Sequence, residues 1–165
     1  MRRAVSTLVA LVLIGTSGCY YGPDPNLTET GKGKPTISVD FPAELEPGAT
    51  ETATFVVNNP GPGDMESVLV VFSRIGDPSL PEPIVDSGTG GQTEAVTSVS
   101  PEPVAISPDA VRYRFGSLPE GESMTIRFEL LLPDGNGEVG NAVQVYDGAE
   151  PERAGGVRLA TTLRG

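Results

Sequence analysis

One cysteine, no histidine and 22 carboxylates bound the chemistry this 165-residue chain can offer. Without histidine there is no Ser-His-Asp or Cys-His nucleophile and no imidazole-ligated zinc. Any thiolate chemistry rests on Cys19 alone, and a single cysteine forms no internal disulfide. Carboxylates remain. Asp134-Gly135-Asn136-Gly137-Glu138 sets oxygen ligands at alternate positions, as part of a calcium loop does. It lacks the twelve-residue pattern and the closing bidentate glutamate, and reads as a hairpin turn of residues that tolerate φ > 0. Paired acids for glycoside hydrolysis need roughly 5–10 Å between them across a cleft, which sequence spacing does not show in a sandwich. Gly88, Gly90 and Gly91 precede no helical pattern, so they make no phosphate cradle. Arg112, Arg114 and Arg127 alternate with apolar residues; they read as a basic strip on one sheet face, paired with acids such as Glu129. The expectation is no metal, no cofactor and no catalysis.

The chain before Cys19 says what the thiol is for. Arg2 and Arg3 precede an apolar run from Ala4 to Ile14, then Gly15-Thr16-Ser17-Gly18. That is a basic n-region, an apolar h-region and a small-residue cleavage site, too short for a membrane-spanning helix. With cysteine at the new N-terminus, residues 1–18 resemble a bacterial lipoprotein signal. Thr16 departs from the leucine usual there. The resemblance implies a diacylglyceryl thioether on Cys19 and an acyl chain, such as palmitate, on its amino group. Two or three chains, each contributing about 0.8 kcal/mol per buried methylene, anchor a protein stably.

Charge narrows the partners. The formal net charge is −11, from 11 basic and 22 acidic residues. Losing Arg2 and Arg3 leaves 9 basic against 22 acidic, or −13. This opposes nucleic-acid phosphates and any polybasic hold on anionic lipid, so attachment falls to the lipid. The expected location is the cell membrane, on its extracytoplasmic face. Exported proteins or the cell wall are the expected partners, with oligomeric state left open.

The elements that must present this anchor follow. Residues 19–35 have no apolar periodicity and read as a flexible tether, roughly 20–25 Å in span. Asn26-Leu27-Thr28 within it is a glycosylation sequon by chance. From Thr36 the period becomes 2. Strands are expected at Thr36–Phe41, Thr52–Val57, Ser67–Ile75, Ala95–Ser100, Val111–Phe115, Met124–Leu132, Val139–Tyr146 and Val157–Leu163. The third, apolar on both faces, belongs at a sheet centre. Pro101, Pro103 and Pro108 hold their stretch at a sheet edge. Gly76–Thr93 is the longest loop, with only Ile84-Val85 able to pair, and Asp147–Gly156 is a further loop. With 21 glycines, 16 prolines and no tryptophan, residues 36–165 read as one all-β sandwich of seven to eight strands, following a signal-peptide helix and a disordered tether.

Several turns carry a family likeness. Leu45-Glu46-Pro47-Gly48, then Phe55 to Asp64 with its Asn-Pro-Gly-Pro-Gly-Asp end, then Tyr113 to Ser123 around Leu-Pro-Glu-Gly-Glu, and Gly140-Asn141-Ala142-Val143 are similar to the conserved-repeat domain of bacterial surface proteins. That domain is immunoglobulin-like and of unknown function. The likeness covers about Thr36 to Tyr146, in a single copy. Together with the lipoprotein signal ending at Cys19, the expected reading is a lipid-anchored, non-catalytic binding or structural module. An accessory subunit completed through a strand edge is the alternative, and a hydrolase relying on acids a third.

Overall fold

The computed structural model describes residues 32–73, 82–86 and 95–165. The expected signal helix, Cys19, Asn26, most of the tether and glycines 88, 90 and 91 lie outside them.

Among the described residues the regular elements are all strands, ten in number: β1 (Thr36–Asp40), β2 (Glu44–Leu45), β3 (Thr50–Asn58), β4 (Val68–Ser73), β5 (Val96–Ser100), β6 (Ala105–Ile106), β7 (Arg112–Arg114), β8 (Ser123–Leu131), β9 (Gly137–Asp147) and β10 (Ala154–Leu163). They form two sheets. One has the order β1-β3-β8-β5, the other β2-β10-β9-β4-β7-β6. Pairing is antiparallel except where β2 joins the end of β10 in parallel. The all-β reading from period-2 alternation is therefore correct at the level of class and layers. β4 lies between β9 and β7, as its two apolar faces require.

The inner faces meet around an aromatic cluster. Phe128 on β8 sits edge-to-face with Phe55 (5.7 Å), Phe72 (5.1 Å), Tyr113 (5.0 Å) and Phe115 (6.4 Å). Edge-on geometry sets a positive ring edge against a negative ring face, which adds to the apolar burial. The alternation on β8 buries Ile126, Phe128 and Leu130 and exposes Thr125, Arg127 and Glu129. Tyr113 is buried with its hydroxyl donating to the Ala110 carbonyl at 2.9 Å. Burial pushes its hydroxyl up to about 12. The neutral form is therefore favoured in the fold, and the stability this gives is complete below pH 10 and lost as pH rises from 10 to 12. Tyr113→Phe is expected to flatten that alkaline loss in unfolding titrations; equal losses in both proteins would discard the assignment.

Most connections cross between sheets. Pro60–Asp64 carries β3 to β4, Leu118–Glu122 carries β7 to β8, and 132–136 carries β8 to β9. The Asp134–Glu138 turn is thus an arch between layers, not the hairpin its composition suggests: β8 and β9 belong to different sheets. Local turn chemistry specifies a reversal but not whether the strands it joins pair.

The residues expected to end the tether behave differently too. Gly33 and Pro35 are buried on the domain, so the packed chain includes residues 32–35 as well as 36–165. Gly and Pro break periodicity, which reads as a linker, yet they also let a backbone lie flat against another.

Candidate functional site

The sandwich has two poles with different contents. One gathers the incoming chain at Gly33, the Pro60–Asp64 and Leu118–Glu122 arches and the turn after Asp147. The other gathers Glu46–Gly48, the 132–136 arch and Gly165, tied by Gly48 N–H to the Pro133 carbonyl (3.3 Å) and Gly165 N–H to Asn136 Oδ1 (2.9 Å).

At the first pole lies a buried polar cluster that sequence reasoning missed. Arg153 is 0% exposed and Asp147 1%. Arg153 Nη1 donates to Asp147 Oδ2 at 2.9 Å and to the Asp64 carbonyl at 3.4 Å. Its Nη2 donates to Asn59 Oδ1 (3.1 Å) and its Nε to the Gly33 carbonyl (2.9 Å). Asn59, also buried, donates from Nδ2 to the carbonyls of Gly63 and Leu118 and accepts at Oδ1 from Gly61 N–H. One guanidinium thus ties four residues from three segments of the chain. Its planar fork of donors suits this, where a lysine would not. A clue was in the sequence: Asp147 keeps the odd-numbered inward phase of Val143 and Val145 on β9.

Toward the other pole lies the described middle of the long insertion, residues 82–86. Its roots are Ser73, paired with Ala142; Glu82, bridged to Val139; and Val96, paired with Leu130. Ile84 and Val85 are buried, as apolar residues inside a loop should be. Asn141 holds them. Its Oδ1 accepts from the N–H of Ile84 (3.1 Å) and Val85 (2.9 Å), and its Nδ2 donates to the Val85 carbonyl at 2.7 Å. The insertion is therefore pinned at its middle, dividing residues 74–81 from 87–94. Asn141→Leu leaves two buried N–H groups without an acceptor, at an expected cost of about 1–3 kcal/mol. Hydrogen exchange at Ile84 and Val85 should quicken ahead of exchange in β8; unchanged protection would reject the pin.

The arginines do not form one strip. Arg112 and Arg114 lie on β7 in the six-stranded sheet and Arg127 on β8 in the other, so they face opposite sides of the protein. Arg112 meets Asp109 at 3.5 Å, and Glu129 accepts from Ser98 rather than pairing with Arg127. Asp109 is held below the ordinary carboxylate range, first by the Ser107 hydroxyl and then by Arg112. In the Asp134–Glu138 run, Glu138 turns to Arg158 and Asn136 to Gly165. Those oxygens diverge. Among the described residues, no group of three or more acids, histidines or cysteines is arranged to hold a metal ion. Cys19 lies outside the described residues.

One edge is apolar. Val104 is 68% exposed and Ile106 52%, on and beside edge strand β6, with Pro101, Pro103 and Pro108 around them. The prolines do sit at a sheet edge, where their missing N–H is harmless.

No family model and no curated protein matches the chain. Solved structures do. BslA, a bacterial hydrophobin, is 7% identical with a TM-score of 0.53, over 81% of this chain and 98% of its own. AvmM, which catalyses macrocyclization in alchivemycin A biosynthesis, is 15% identical with a TM-score of 0.47, over 87% and 97%. A PapD-like domain of human CEP192 is 18% identical with a TM-score of 0.40, over 100% and 97%. At 7% identity the likeness to BslA is one of fold alone.

Proposed function

We propose that the chain is a non-catalytic binding module of the bacterial cell envelope, an immunoglobulin-like sandwich held at the membrane by lipid on Cys19. One observation carries the reading. The chain enters at the Arg153 pole, while the roots of the pinned insertion lie toward the opposite one. An anchor at one pole leaves the other pointing away from the lipid, and loops on a rigid scaffold are where binding residues concentrate. The ion-paired acids outside the buried cluster support a solvated surface over a catalytic one: Glu44, Glu138, Glu150 and Asp109 each meet a different cation.

The anchor is tested by Cys19→Ser in the full chain, followed by cell fractionation and intact mass. The variant is expected in the soluble fraction without lipid mass. Retention in the membrane with mass changed only by the substitution removes the anchor from the proposal. A second reading, an accessory subunit that pairs through a strand edge, is favoured by exposed Val104 and Ile106. Charged replacements at both positions would abolish co-purification with such a partner and spare one that binds the insertion.

A further inference from the structure

We propose that residues 32–35 form a latched joint, seated on the domain by Arg153, which fixes where the linker leaves the sandwich and opens without unfolding it. The inference deepens the anchored reading by giving the domain a defined pose on its linker, but it rests on contacts of residues 32–35 and not on the lipid.

The seat is built from three contacts. Arg153 Nε donates to the Gly33 carbonyl at 2.9 Å. Lys32 Nζ donates to Glu150 Oε1 beside it. The third is a pair of backbone approaches that only glycine permits. A Cβ on Gly33 would stand 1.8 Å from the Gly61 carbonyl oxygen, and one on Gly155 2.1 Å from that of Pro35. Gly33 and Pro35 are buried as a result.

The latch is separable from the fold. Residues 32–35 belong to none of the ten strands, and the β1–β3 ladder starts at Thr36 opposite Asn58. When Gly33 lifts away, Arg153 keeps Asp147, Asn59 and the Asp64 carbonyl, so no buried charge is orphaned. Opening therefore gives up the Arg153–Gly33 hydrogen bond, the Lys32–Glu150 ion pair with the other contacts of Lys32, the β-bridge at Gly33 and the cover over Pro35, and leaves the ladders of the named strands in place. Local openings of this kind lie below global unfolding in free energy.

The chain supplies its own reporter. Lys32 and Lys34 are the only lysines, and the bond after Lys34 leads into proline. A lysine-specific protease thus reads the Lys32–Gly33 bond, which must leave its seat to enter an active site. An arginine-specific protease cutting after Arg127, in the middle of β8, reads opening of the sheets. Both are applied to the full chain under native conditions, with cleavage slow relative to opening and closing. Gly155→Ala is expected to quicken cleavage at Lys32 by about tenfold or more, the shift of losing one hydrogen bond to a charged group, with cleavage at Arg127 changed less than about twofold. Glu150→Gln, which leaves the core alone, should quicken it by about two- to fivefold. The latch is overturned if wild-type protein is cut at Lys32 as fast as denatured chain, or if Glu150→Gln leaves that rate unchanged. It is equally overturned if Gly155→Ala raises both cleavages together. Should Gly155→Ala fail to fold, Glu150→Gln decides alone. Fractionation of Cys19→Ser is blind to all of these outcomes, so the joint and the anchor fail separately.

Discussion

Arg153→Met is expected to destabilise the domain by about 3–5 kcal/mol, seen as a lower denaturant midpoint at unchanged slope. The cost comes from what is left behind. Asp147 stays 1% exposed and negative, with only the Ala149 N–H (3.2 Å) still donating to it. Asn59 Oδ1 and the Gly33 carbonyl each lose a donor as well. Against a total stability of roughly 5–15 kcal/mol this is a large share. The double variant Arg153→Met, Asp147→Leu removes both charges and should recover most of the loss, because a buried pair contributes little net beyond an apolar replacement. The exposed pair Arg158–Glu138 is the control: Arg158→Met should change stability by less than about 1 kcal/mol. Equal effects at Arg153 and Arg158 would show that water reaches Asp147 and that burial does not set its energetics.

Phe128→Ala should cost about as much, roughly 3–5 kcal/mol, for an unrelated reason. Its ring is fully buried and meets four others within 6.4 Å, one from its own sheet (Phe55 on β3) and three from the opposite sheet (Phe72, Tyr113 and Phe115). Removing it opens a cavity at the centre of the interlayer contact, which rigid strands on both sides are poorly placed to close. Phe128→Leu refills part of that volume and should lose less than half as much. Met124→Ala on the same strand lies at the half-buried end and should be milder still. A uniform cost along β8 would mean that the cluster contributes no more than its area.

How much of this was readable depended on period. β8 and β7 were plain because strict alternation over Met124–Leu132 and Val111–Phe115 admits one inward set. The layers followed, since no helical period competes. What alternation conceals is a polar residue in the inward phase. On β9 the inward series is Val139, Asn141, Val143, Val145, Asp147. Asn141 stood out only in a family likeness and Asp147 only as the start of a loop, whereas their partners, Ile84-Val85 and Arg153, come from 57, 56 and 6 residues away. The same blindness placed Asp134–Glu138 in a hairpin and grouped Arg127 with Arg112: which strands share a sheet is a long-range fact. The lipid site stays a reading of residues 1–19 alone.

The meeting of the first and last strands has a kinetic side. Gly33 waits for Arg153, 120 residues later, and Glu44 and Leu45 wait for Thr162 and Leu163. These are the longest loops the chain must close, and closure entropy is lost before such contacts repay it. A chain emerging from its N-terminus can pair β1 with β3, but it has no seat for Gly33 or for β2 until its final strand arrives. Up to that moment the sandwich lacks the strand joining β2 to β9. Completion of this end of the six-stranded sheet is then a late event that waits on residues 154–163.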